Sequence, residues 1–163
     1  MSHVNYSSTE SEFGTIYVVS SPKGISRIVI GKNAFLDFLH STNGTRAIEG
    51  GDAEKLTDEI ELYLKGKLSE FRTEVNFQYG TEFQKAVWKK LLEVPYGKVV
   101  TYRELAELIG KPNAARAVGN ALSVNPVPIV VPCHRVLASG GIGGYGLGLD
   151  MKRGLLRIEG VPI

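Results

Sequence analysis

The 163-residue chain has one cysteine, three histidines and one tryptophan. A single cysteine excludes an internal disulfide. No run is apolar for the roughly 20 residues that a membrane-spanning helix requires, so no such helix is expected. Met1 to Phe13 is polar and lacks the basic start and apolar core of a secretory signal. That composition predicts a disordered tail over residues 1–12 and a protein kept in a reducing compartment, the cytoplasm or a eukaryotic nucleus. His3 and His40 are isolated, and no cluster has metal-ligand spacing, so neither a metal nor another cofactor is expected. Net charge is only +2, but it is uneven. Residues 1–80 carry 8 basic and 11 acidic side chains, and residues 81–163 carry 11 basic and 6 acidic. A basic second half hints at a polyanionic partner, although a basic face can simply be solvated.

The length suits one domain or two small ones. Thr15 to Val19 and Ile25 to Ile30 read as two strands of a hairpin around Ser21-Pro22-Lys23-Gly24. Asn33 is placed to cap a short helix carrying Phe35, Phe38 and Leu39. Ser41 to Asp52 reads as glycine-containing loop, and Asn43-Gly44-Thr45 within it as a turn. Ala53 to Lys65 has Leu56, Ile60, Tyr63 and Leu64 on one helical face, with Gly66 as its stop. Alternation of Val75, Phe77 and Tyr79 predicts a last strand before a boundary at Gly80. The predicted class is α+β: a small α/β scaffold over residues 1–80, then a mainly helical domain over 81–163.

The second half has sharper punctuation. Thr81-Glu82-Phe83-Gln84 is a capping box for a helix burying Phe83, Ala86, Val87 and Leu91. Thr101-Tyr102-Arg103-Glu104 is another, opening a short helix with Leu105, Ala106 and Ile109 that Gly110 ends. A third helix follows, with Ala114, Ala117, Val118, Ala121 and Leu122 at helical spacing. The last two have the outline of a helix-turn-helix, which many helical hairpins share. The other face of the third helix carries Arg116, Gly119, Asn120 and Ser123. Such a face can approach another surface closely, or be merely solvated.

Asn125-Pro126-Val127-Pro128 breaks that helix and leads into Ile129-Val130-Val131-Pro132-Cys133-His134-Arg135-Val136. An apolar run thus delivers the cysteine to a proline-braced turn, next to a histidine. Thiolate is the nucleophilic form of cysteine, and an imidazole is a common means of producing it. A buried structural thiol would also fit such a run. Gly140 to Gly148 contains six glycines and Tyr145. Its G-x-G-x-x-G spacing is not a dinucleotide site, because too little chain follows for the strand and acidic residue such a site needs. It reads instead as a flexible wall that lets a ligand approach. A last helix spans about Asp150 to Glu159, with Met151, Leu155 and Ile158 on one face. Glu159, four residues after Leu155, lies at the edge of that face, and His134 is its natural partner.

Several of these blocks together resemble the O6-alkylguanine-DNA alkyltransferases. They are Tyr96-Gly97-Lys98-Val99-Val100-Thr101-Tyr102, Arg116-Ala117-Val118-Gly119, Asn125-Pro126 through Pro132-Cys133-His134-Arg135-Val136, Gly143-Gly144-Tyr145, and Leu155-Leu156-Arg157-Ile158-Glu159-Gly160. The resemblance covers residues 81 to 160; the first half agrees only in the order and size of its elements. It implies direct reversal of damage in double-stranded DNA, bound without sequence preference by a monomer, with each chain spent in one transfer.

By position, the resemblance makes Cys133 the alkyl acceptor, His134 its base through a water, Glu159 the residue orienting His134, and Asn125 a hinge. Tyr102 would rotate the nucleotide and give a proton towards guanine N3, and Arg116 would fill the vacated stack. Gly119, Asn120, Ser123 and Arg135 would contact DNA. Pro128, the Cys133 and Val136 carbonyls, Tyr145 and Gly146 would line the base pocket. Relatives with zinc hold it through Cys and His in the first half, where this chain has no cysteine, so no metal is implied. Leu147 stands where some relatives have glycine, at a position that sets tolerance for bulky groups. A binding-only relative is disfavoured, since those carry another residue where Cys133 stands. A helix-turn-helix regulator and a Cys-His hydrolase are the other readings.

Overall fold

The computed structural model describes residues 3–43 and 45–163; Met1, Ser2 and Gly44, the centre of the Asn43 turn, lie outside them. The chain divides into two compact units, Met1–Gln78 and Tyr79–Ile163.

The first unit is built on a four-stranded sheet of β1 (His3–Thr9), β2 (Ile16–Ser21), β3 (Gly24–Ile30) and β4 (Arg46–Glu49), in the order β3-β2-β1-β4. β2 pairs antiparallel with both β1 and β3, and β4 joins β1 in parallel. Helices α1 (Lys32–His40) and α2 (Asp52–Leu64) complete the unit. Ile16, Val18 and Val19 of β2 and Leu56, Ile60 and Tyr63 of α2 form its core.

Four expectations for this half are corrected. Residues 3–9 are an inner strand and not a disordered tail, because backbone pairing on both edges orders a polar segment that composition scores as loose. The loop from Ser41 to Asp52 contains β4. The 75–79 segment forms only a bridge from Val75 to Ile25. Asn33 is not a cap: α1 begins at Lys32, after Gly31, with no side-chain cap bond.

The second unit contains α3 (Glu82–Leu91), α4 (Tyr102–Leu108), α5 (Ala115–Ser123) and α6 (Leu149–Ile158). Both capping boxes are formed: Thr81 and Gln84 satisfy each other's backbone N–H groups, as do Thr101 and Glu104. Helices α3, α4 and α5 pack on one another. In α3 the buried positions are Val87, Trp88 and Leu91, whereas Ala86 is exposed. Trp88 takes the inner place because its indole N–H finds the Ala121 carbonyl at 2.9 Å, which satisfies the ring's polar edge. In α5 only Val118 and Ala121 are fully buried, and Ala117, expected inside, is exposed. β5 (Val100–Thr101) pairs in parallel with β6 (Val136–Leu137), tying the start of α4 to the end of the cysteine turn.

Candidate active site

Residues 126–136 are buried without interruption. Within this run Ile129 has φ 76°, in the left-handed region that a β-branched residue avoids. The kink lets Val131 N–H reach the Val127 carbonyl at 2.9 Å and turns the chain into a single turn of 3-10 helix, Cys133–Arg135. Asn125 ties the turn together. Its Nδ2 donates to the Val131 carbonyl at 2.9 Å and to Cys133 Sγ at 3.2 Å, and its Oδ1 accepts from Val127 N–H at 2.9 Å.

Cys133 is 8% exposed. Burial pushes its thiol above the ordinary value, and hydrogen bonds from Asn125 and Tyr145 offset only part of this. Next to it, fully buried His134 places Nε2 2.6 Å from Glu159 Oε2. Burial holds the imidazole below its ordinary value, although Glu159 pulls the other way. Burial alone would raise the Glu159 carboxyl, but His134 and Arg135 outweigh it and hold the group well below the carboxylate range. Glu159 is therefore ionised and can only accept. That assigns the proton of the neutral imidazole to Nε2 and leaves Nδ1 as the basic nitrogen. Gly97 N–H also donates to Glu159 Oε1, at 3.0 Å.

Arg135 was expected at the DNA surface, and the structure corrects this. It is 7% exposed and points inward. Nε donates to Glu159 Oε1 at 2.8 Å, Nη2 to Oε2 at 3.0 Å and Nη1 to the Val94 carbonyl at 2.6 Å. Inside a turn of 3-10 helix, the residue after His134 faces the same carboxylate as His134 itself.

Tyr102 opens α4 and sends its hydroxyl to the Gly144 carbonyl at 3.4 Å. A Cβ on Gly143, which has φ 75°, would stand 3.0 Å from both the Tyr102 ring and the Ala138 backbone, so only glycine fits there. Tyr145 is half-buried and faces the thiol, Pro128 and Val136 are buried, and Gly146 and Leu147 are exposed. On α5, Arg116, Asn120 and Ser123 are exposed and Gly119 is half-buried, so the expected face is present.

Sequence reasoning missed Lys152. It is fully buried, and its Nζ donates to the carbonyls of Val136, Ile142 and Gly144 at 2.6, 2.7 and 2.9 Å. The signal was available: Lys152 lies three residues before Leu155 and four before Leu156, on the inner face of α6.

Among the described residues, no group of three or more His, Cys, Asp or Glu side chains is placed to hold a metal ion. A cavity of about 520 Å³ in the first unit, lined in part by Asp52, Lys55, Glu59 and Arg72, contains no cysteine, serine or histidine. The chemistry is concentrated around Cys133.

Comparison with known proteins agrees with this geometry. Residues 4–77 match the family description "6-O-methylguanine DNA methyltransferase, ribonuclease-like domain", and residues 82–161 match "6-O-methylguanine DNA methyltransferase, DNA binding domain". A methylated-DNA–protein-cysteine methyltransferase of Methanosarcina barkeri is 41% identical over 94% of this chain and 96% of its own length. The Mycobacterium tuberculosis protein of that name is 52% identical over 63% of this chain, and the shared stretch spans 62% of that relative. The crystal structure of Mycobacterium tuberculosis OGT in complex with DNA superposes with a TM-score of 0.81 at 36% identity, covering 95% of this chain and 92% of that one. With both domains matched in order and a relative aligned along nearly its whole length, the chain belongs to the 6-O-methylguanine DNA methyltransferase family.

Proposed function

We propose that this protein repairs DNA by moving the alkyl group of an O6-alkylguanine onto Cys133. The observation that carries the reading is a buried cysteine, held by Asn125, directly beside a histidine whose Nε2 is fixed by Glu159. His134 Nδ1 takes the thiol proton through a water, and Sγ attacks the alkyl carbon. The carbon–O6 bond breaks, its electron pair leaves with the guanine, and the Tyr102 hydroxyl supplies a proton towards N3. Guanine is a poor leaving group without that proton, which gives Tyr102 its chemical role.

The product is a thioether. Thioethers do not hydrolyse readily, so each chain acts once. At rest the thiol is held up and the imidazole held down, which keeps both neutral until a substrate occupies the site. This limits adventitious alkylation of a residue that can be used only once.

A cysteine that is 8% exposed cannot reach a base inside a duplex, so the nucleotide must rotate out. The α4–α5 pair acts as a helix-turn-helix, with Gly119, Asn120 and Ser123 against the backbone and Arg116 entering the gap. Tyr145, Gly146, Pro128 and the Val136 carbonyl border the base. Binding is independent of sequence, because phosphate contacts carry no base information and damage can occur anywhere. The protein works as a monomer and in the cytoplasm. The complex of the mycobacterial relative with DNA supports the choice of partner.

The test is a duplex carrying one O6-methylguanine with a labelled methyl group. Label should appear on Cys133, at no more than one methyl per chain, and Cys133→Ala should bind the duplex but take no label. Repeated turnover would favour a hydrolase, and a preferred operator on undamaged DNA would favour a regulator.

A further inference from the structure

We propose that Lys152 is a positioning residue that holds the glycine-rich segment 140–148 closed over Cys133. Apart from one bridge between Ala138 and Gly141, that segment has no strand or helix to order it. It nevertheless has to present Tyr145 to the thiol. The fully buried Lys152 side chain supplies what regular structure does not. Its three ammonium protons meet three carbonyls, two of them, Ile142 and Gly144, in the segment and the third, Val136, in β6 beside the cysteine turn. One cation thus clamps the segment to the turn.

Filling space does not explain this lysine. Methionine would fill similar room without the cost of a buried charge. Among the described residues no carboxylate pairs with the ammonium, which is compensated by carbonyl dipoles. The Tyr102 hydroxyl shares the Gly144 carbonyl, so the clamp also touches the residue that gives the leaving-group proton. Burial pushes Lys152 down to about 8, against the opposing pull of Cys133, and the ammonium in turn disfavours a charge on His134.

The inference rests on Cys133 as the alkyl acceptor, but part of its test does not. Hydrogen exchange on the intact wild-type and Lys152→Met proteins reads the segment directly. Amides of 141–148 should exchange roughly tenfold faster in the variant, with α3 to α5 unchanged. Lys152→Arg should keep part of the protection. Single-turnover transfer from the methylated duplex should need a higher protein concentration for half-saturation in Lys152→Met, with a smaller loss of limiting rate. Unchanged exchange in 141–148, or equal loss of protection across α3 to α5, would overturn the clamp. Absence of transfer by the wild type would overturn the acceptor reading and leave the exchange result standing.

Discussion

Arg135 grips both carboxylate oxygens of Glu159, the same carboxylate that fixes His134. The two cationic-capable groups share one anion in a buried setting. Burial is the main reason that a histidine touching a carboxylate can still lie below its ordinary value, and the Arg135 charge adds to it in the same direction.

Arg135→Lys tests this placement. A lysine cannot reproduce the two-pronged grip or reach the Val94 carbonyl as well. The variant should be less stable by about 1–3 kcal/mol, read as a lower denaturant midpoint. DNA affinity and its salt dependence should not change. A phosphate contact would instead lower the salt slope by about one.

The pH dependence of stability follows from two shifts of the same sign. As pH falls below about 6.5, the unfolded chain protonates the position of His134 before the fold does, so stability drops. Glu159, held low in the fold, adds stability above about pH 4.3 that is lost as pH falls further, because the unfolded carboxyl takes its proton first. Urea midpoints at pH 3.5 to 7.5 should decline in two stages. His134→Gln should remove the upper stage. A midpoint that is flat from pH 7 to 5 would show that His134 titrates in the fold as it does unfolded.

Legibility in the sequence followed the range of the forces involved. The two capping boxes were readable because each is a contact over three residues. The His134–Glu159 pair was readable because helical spacing put a carboxylate at the edge of a buried face and only one histidine lay nearby in the second unit. β1 and β4 were not, because they are held by backbone pairing between residues some 43 positions apart, such as His3 and Arg46, which side-chain composition does not report. Arg135 was misplaced and Lys152 missed for a different reason. Both are charged, and charged residues are expected outside unless a buried partner is known in advance. Their partners are a carboxylate 24 positions away and three carbonyls brought together only by the fold.

Ile129 offers a test of the strain beside the nucleophile. It is fully buried with φ 76°. Replacing it with alanine or glycine removes a core side chain, and either change should cost about 2–5 kcal/mol. In ordinary backbone glycine is worse than alanine by about 0.5–1 kcal/mol. Here the left-handed conformation penalises alanine by about 1–2 kcal/mol and glycine not at all, so the order should reverse. Chemical denaturation should find Ile129→Gly at least as stable as Ile129→Ala. The usual order would show that the turn relaxes out of this conformation once the isoleucine is gone.

Arg116 should matter for duplex DNA and little for the transfer itself. It is exposed on α5, opposite Val118 and Ala121, which anchor that helix. Its guanidinium can stack and hydrogen-bond in the space a rotated nucleotide leaves. Extrusion costs a few kcal/mol, and a side chain that fills the gap offsets part of it. Arg116→Ala should therefore slow transfer from a methylated duplex by roughly tenfold or more. Transfer from free O6-benzylguanine, which needs no extrusion, should be nearly unchanged. Both rates can be measured on one preparation, with the melting temperature as a check that the fold is intact. Equal slowing on the two substrates would place Arg116 in support of the pocket, and the role in filling the stack would have to be given up.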